Sequence, residues 1–139
     1  MLIAIYQQRR PDGSNPPVII NSIDMQTMLR LIAADALDEV TAYLAAEIDK
    51  LVQAGADIGL LASNTPHVVF DRLQRESRIP LISIVEATFA VAKGMNLKRV
   101  GLLGTRFTMQ SAAYPSVFSP RGIMVVVPDE PDQEYVHGK

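Results

Sequence analysis

Short apolar runs recur along the chain and are separated by polar turns and by longer stretches with apolar residues at helical spacing. Runs of this length predict buried strands. We place the strands at residues 18–23, 58–62, 81–85, 99–103 and 123–127. The first run is β-branched and nearly all apolar, which predicts a strand that is buried on both faces.

The stretches between these runs carry the start and stop signals of helices. Asp24 is placed to cap a short helix over residues 26–33, and Asp38 to open a longer helix that Gly55 ends. Further helices are predicted from Pro66, from residues 86–88 to about Met95, around Pro115 where a helix is kinked or restarts, and from Asp129 or Asp132.

The N-terminal segment permits two interpretations. Residues 1–10 fit either the end of a helix or a short strand, and residues 11–17, rich in proline and glycine, predict a loop. From there onward strands and helices alternate, which indicates an α/β fold with a parallel sheet flanked by helices.

Composition narrows the class of protein. A chain of 139 residues with 48% hydrophobic and 20% charged residues is expected to form one compact domain with a core. A net charge of −2 argues against binding to nucleic acid or to a membrane surface. The chain has no cysteine, which excludes disulfides and thiolate metal sites, and its histidines and carboxylates show no metal-ligand spacing. Without a transmembrane run or a signal peptide, we expect a cytoplasmic protein.

Polar residues follow four of the predicted strands. Helix capping is a sufficient explanation for any one of them. Because ligands bind outside the carboxyl ends of parallel strands, the four together predict a pocket for a small anion. Asn64 or Thr65 is also expected to cap the helix at Pro66, whose free N–H groups would attract a carboxylate or phosphate. The four groups are Ser22 with Asp24, residues 63–65, Ser83 with Glu86, and residues 105–108.

Two segments resemble the cofactor-independent aspartate/glutamate racemases. Residues 56–67, ADIGLLASNTPH, are similar to the family's first catalytic segment. Residues 98–109, KRVGLLGTRFTM, are similar to the strand that opens its second lobe. Residues 79–84 and 125–128 add to the resemblance, which covers the chain from about Pro17 onward.

The resemblance implies two α/β lobes, here a first lobe over residues 1–97 and the beginning of a second over residues 98–139. It implies Cα proton transfer on an acidic amino acid such as aspartate or glutamate, by two bases and without a cofactor. It also implies a homodimer. The substrate carboxylate would be held by Asn64, Thr65, Thr105, Arg106 and Thr108.

The chain departs from the family in its proposed bases. Ser63 stands where a cysteine base is usual, and a serine hydroxyl needs an activating base. The family's second cysteine and its opening strand have no counterpart here, so the sequence resembles an internal portion. An unpaired sheet edge would favour association. The alternative function is therefore a racemase-like protein that binds small carboxylates without catalysis.

The remaining titratable candidates each have a structural and a chemical interpretation. His67 lies early in a helix, where it is expected to be neutral; it either packs against the strand end or orients Ser63. Asp24 and Glu86 could act as paired acids, although helix capping and a first-turn carboxylate explain them as well.

Overall fold

Two small parallel sheets with helices packed around them make up the fold, in a computed structural model that describes residues 2–10 and 12–138. The predicted α/β class is confirmed, in a mostly helical form. The helices are α1 (Leu2–Arg9), α2 (Met25–Ala33), α3 (Leu37–Gln53), α4 (Phe70–Glu76), α5 (Ile84–Gly94), α6 (Arg106–Gln110), α7 (Ala113–Phe118) and α8 (Glu130–His137), with 3₁₀ turns at Thr65–Val69 and Ser119–Arg121. The strands are β1 (Gly59–Leu60), β2 (Leu81–Ile82), β3 (Arg99–Gly101) and β4 (Met124–Val126).

The strands pair in parallel, but they are shorter than predicted. Gly59 lies opposite Leu81 in the first sheet, and Arg99 lies opposite Met124 in the second. Each described sheet has only two strands, so ladder hydrogen bonds form only where both partners overlap.

The strand predicted at residues 18–23 is wrong: this segment is irregular and lies beside no described strand. Val18 is 55% exposed and Ile20 is 86% exposed, so the segment is not buried on both faces either. A β-branched run forms a strand only when a neighbour satisfies its backbone groups. Here Asn21 instead bonds α3 through its side chain, which donates to the Glu47 carboxylate at 2.8 Å.

The observed helix ends show which local sequence signals were sufficient to predict where a helix starts or stops. Asp24 caps α2 as predicted, accepting the Gln26 N–H at 2.9 Å. Gly55 follows α3 with a φ of 94° and donates its N–H to the Val52 carbonyl at 2.9 Å, as expected of a C′ glycine. Two starts were misplaced: α3 begins at Leu37 without a side-chain cap, and α5 begins at Ile84 because Ser83 caps it.

Other segments follow the predictions closely. Residues 2–9 take the helical alternative, while Met1 and Pro11 lie outside the described residues. Pro115 lies in the first turn of α7, so the chain restarts a helix there, and Asp129 caps α8. None of the helices in residues 2–10 and 12–138 combines the length and apolar character needed to cross a membrane.

Buried side chains form two separate clusters. The first joins α2, α3 and α4 to β2, and the second joins α5 and α7 to the residues around β3 and β4. The predicted division after residue 97 stays a prediction, but α5 packs with the second cluster although it precedes that point. The first cluster contains Met28, Val40, Leu44, Ile48, Val69, Leu73, Ile79 and Leu81; the second contains Val85, Phe89, Ala92, Leu102, Tyr114, Phe118 and Ile123.

Candidate active site

The segment that we call the first turn, residues 63–65, connects β1 to the 3₁₀ turn that continues into α4. Asn64 occupies the N-cap position with helical backbone angles, φ −73° and ψ −40°, and its side chain makes no capping bond. The predicted cap by Asn64 or Thr65 is therefore wrong. The helix starts as a tight 3₁₀ turn in which the backbone suffices, since the His67 N–H donates to the Asn64 carbonyl at 2.9 Å.

The side chain of Asn64 instead reaches the second cluster. Its Oδ1 accepts a hydrogen bond from the Tyr114 hydroxyl at 2.9 Å. Tyr114 is 8% exposed and packs its ring on Phe118, with 5.8 Å between the ring centroids. Sequence analysis missed this residue. The available signal was a tyrosine in an apolar helix, because a buried hydroxyl needs a partner.

The first turn keeps several polar groups without a protein partner. Ser63 is half-buried and Thr65 is 8% exposed, and neither hydroxyl makes a hydrogen bond within the described part of the chain. The Asn64 amide nitrogen makes none there either. This turn therefore offers an amide donor and two hydroxyls to a ligand.

His67 holds the first turn against the start of α5. The imidazole is 5% exposed; its Nδ1 lies 2.9 Å from the Ser63 carbonyl oxygen, and its Nε2 accepts the Ile84 N–H at 3.2 Å. Burial lowers the pKa of His67 from its ordinary value of 6.5, which favours the neutral ring that this bonding pattern requires.

This arrangement defines what His67 does for Ser63. The ring contacts the serine backbone carbonyl and stacks on Phe70, with 5.1 Å between the ring centroids. Both ring nitrogens are engaged, so no lone pair remains to accept a proton from the Ser63 hydroxyl. The geometry shows His67 packed at the strand end against the Ser63 backbone carbonyl, and its role in orienting Ser63 for chemistry stays a prediction.

A second turn, residues 105–108, follows β3 and forms the N-cap and first residues of α6. Thr105 caps α6 by accepting the Thr108 N–H at 3.3 Å, and the two threonine hydroxyls lie 3.2 Å apart. Arg106 pairs with Glu134 of α8 at 3.2 Å, and both side chains are largely exposed. The side chains of this turn thus bind one another or α8.

The two turns are not joined by any hydrogen bond or ion pair among the described residues. The first turn is instead connected to the second cluster through Tyr114 and through the Ile84 N–H. A cleft of about 490 Å³ lies beside these connections, bordered by His67, the start of α5 and α7. The predicted substrate-binding roles of Thr105, Arg106 and Thr108 stay predictions.

Asp24 and Glu86, the possible pair of acids, make separate structural contacts. Asp24 binds its own helix, and the hydrogen bond from the Thr27 hydroxyl lowers the pKa of its carboxyl group. Glu86 forms a two-pronged ion pair with Arg121, whose pKa that contact raises. Asp24 therefore caps its helix as predicted, and Glu86 lies in the first turn of α5, as the structural interpretation predicted.

Comparison with known proteins settles the family. The model of the family Asp/Glu/hydantoin racemase matches residues 1–139. This chain belongs to that family. It is 36% identical over 80 residues to the broad specificity amino-acid racemase RacX of Bacillus subtilis (strain 168), a match that covers 58% of this chain and 35% of RacX.

Two solved structures have the same fold as this racemase-family chain. A crystal structure of an aspartate racemase homologue from Pyrococcus horikoshii OT3 is 30% identical, with a TM-score of 0.81 over 99% of this chain and 60% of that one. A candidate Asp/Glu racemase from Yersinia pestis is 28% identical, with a TM-score of 0.85 over 98% and 60%. The chain thus spans 60% of the length of either structure.

Proposed function

We propose that this protein is a cofactor-independent racemase or epimerase that transfers the Cα proton of an acidic amino acid such as aspartate or glutamate, in the cytoplasm. One observation carries the proposal. In this racemase-family chain, Ser63, Asn64 and Thr65 of the first turn have hydrogen-bonding groups that no described residue uses. The similarity of this chain to RacX, a broad specificity amino-acid racemase, supports the reaction class.

In this proposal the polar groups of the first turn have different tasks. The Asn64 amide and the Thr65 hydroxyl donate to the substrate carboxylate, which reduces the charge that opposes removal of the Cα proton. The Ser63 hydroxyl first gives its proton to hydroxide from solvent, and the resulting alkoxide takes the Cα proton, which restores the hydroxyl and leaves a substrate carbanion. A second acid returns a proton to the opposite face, which inverts the centre.

A second candidate function is carboxylate binding without proton transfer. It is favoured by the surroundings of Ser63, since the hydroxyl has no hydrogen-bond partner in the described chain and both nitrogens of His67 are occupied. A serine hydroxyl without an adjacent base is a weak proton acceptor.

Incubation of L-aspartate or L-glutamate with the protein in deuterated buffer separates these functions. The racemase proposal predicts loss of the Cα proton signal in NMR spectra and formation of the D-enantiomer, both abolished by Ser63→Ala. Ligand-induced thermal stabilisation without exchange would support the binding protein instead. Absence of both exchange and stabilisation would contradict the two proposals together.

A further inference from the structure

Only the oxygen of the Asn64 side-chain amide has a hydrogen-bond partner among the described residues. Its Oδ1 accepts the Tyr114 hydroxyl at 2.9 Å, whereas its amide nitrogen bonds to no described residue. A carboxamide is planar, and its oxygen and its NH2 group extend from the amide carbon in different directions within that plane. Fixing the oxygen against Tyr114 therefore places the NH2 group on the side of the amide that does not face the Tyr114 hydroxyl.

The group that fixes this amide is itself held by a core. Tyr114 is 8% exposed and packs against Phe118, which is 1% exposed and lies in the second cluster. The hydroxyl position is thus set by packing of α7. A residue of the second cluster thereby controls the orientation of a side chain in the first turn.

We infer that Tyr114 is a positioning residue of the carboxylate subsite, which keeps both N–H donors of Asn64 directed toward a bound amino-acid carboxylate. The inference rests on the proposed function, in which that carboxylate binds at the first turn. Without the hydroxyl, the Asn64 amide is free to rotate, and in the reversed orientation its oxygen would repel a carboxylate.

Tyr114→Phe removes the hydroxyl and keeps the ring that packs on Phe118. Since one oriented hydrogen bond is lost, we expect the dissociation constant and KM for L-aspartate to rise about fivefold. The kcat should change by less than about twofold, because the loss is shared by bound substrate and transition state. Calorimetry measures the affinity and the exchange assay measures the rates.

Tyr43→Phe is the matched control. It also removes a tyrosine hydroxyl with a hydrogen bond, since Tyr43 accepts the Asp24 N–H at 3.1 Å, but this bond lies at the start of α2. Thermal unfolding of both variants reports the structural cost of each loss. The inference requires a loss of affinity in Tyr114→Phe and none in Tyr43→Phe; equal affinity of both variants and wild type would overturn it.

A double-mutant cycle with Asn64→Ala tests whether Tyr114 acts through Asn64. We expect Asn64→Ala to weaken L-aspartate binding, and Tyr114→Phe to have no further effect in that background. An equal fold loss in both backgrounds would show that Tyr114 acts independently of Asn64 and would overturn the inference.

Ligand binding by the wild-type protein distinguishes failure of the inference from failure of the proposed function. If wild type binds L-aspartate and Tyr114→Phe binds it equally well, the inference fails and the proposed function stands. If wild type binds neither L-aspartate nor L-glutamate in calorimetry, the proposed function fails and the inference fails with it.

Discussion

The two polar turns that follow β1 and β3 contain similar residues but use them differently. In the second turn Thr105 caps α6, and Arg106 pairs with Glu134. In the first turn the helix start makes no side-chain capping bond, and the hydroxyls of Ser63 and Thr65 have no described partner. Polar side chains at a strand end are therefore available to a ligand only where the adjacent helix does not use them.

The largest expected effect concerns His67, which anchors the first turn. His67→Ala removes hydrogen bonds to Ser63 and Ile84 and leaves a cavity next to Phe70. We expect the free energy of unfolding to fall by about 3 kcal/mol, measured by urea denaturation. His137→Ala, at the end of α8, is the control and should have a much smaller effect; equal losses would contradict the anchoring role.

Ser63→Cys tests by catalytic activity whether the first turn contains the base. A thiol is far more acidic than a serine hydroxyl, so more of the base is available at neutral pH. If Ser63 occupies the base position, we expect Cα exchange of L-aspartate to increase about a hundredfold. Ser116→Cys on α7 is the control and should give no increase; unchanged exchange in Ser63→Cys would remove this residue from the mechanism.

The pH dependence of stability gives a smaller effect, because protonation of His67 removes the Nε2 acceptor of the Ile84 N–H but, unlike His67→Ala, leaves no cavity. Burial lowers the folded-state pKa of His67 below 6.5, so the unfolded state binds the proton more tightly. The stabilisation is complete above pH 6.5 and decreases as the pH falls from there through the folded-state pKa. Urea unfolding at a series of pH values measures the effect. The free energy of unfolding should decrease with falling pH in wild type and in His137→Gln, and this decrease should be absent in His67→Gln.

The capping difference between the turns predicts unequal stability effects. Thr105→Ala removes the cap of α6 and should cost about 1 kcal/mol. Ser63→Ala removes no hydrogen bond and should change the free energy of unfolding by less than about 0.5 kcal/mol. Thermal unfolding of the two variants checks this, and a larger cost for Ser63→Ala would invalidate the comparison.

The smallest effect is expected for Arg106. Its ion pair with Glu134 is exposed, so Arg106→Gln should cost less than about 0.5 kcal/mol, and added salt should diminish the difference. Calorimetry on the same variant tests the predicted substrate contact. A marked loss of affinity for L-aspartate would show that Arg106 leaves Glu134 to bind substrate.

Elements with a complete local signal were predictable. Asp24 capped α2 and Gly55 ended α3 because the responsible groups lie within a few residues of each other. The segment at residues 18–23 has equally strong strand propensity, but a strand needs a partner that no local pattern supplies.

The sequence by itself determined the α/β class, the family and the order of strands and helices from β1 onward, because periodicity and short motifs are local properties. Only the tertiary structure decided that Asn64 binds Tyr114, that His67 uses both ring nitrogens, and that Arg106 pairs with Glu134. Each of these contacts depends on how α5, α7 and α8 pack. Whether a polar side chain is occupied or available is set by its neighbours in space.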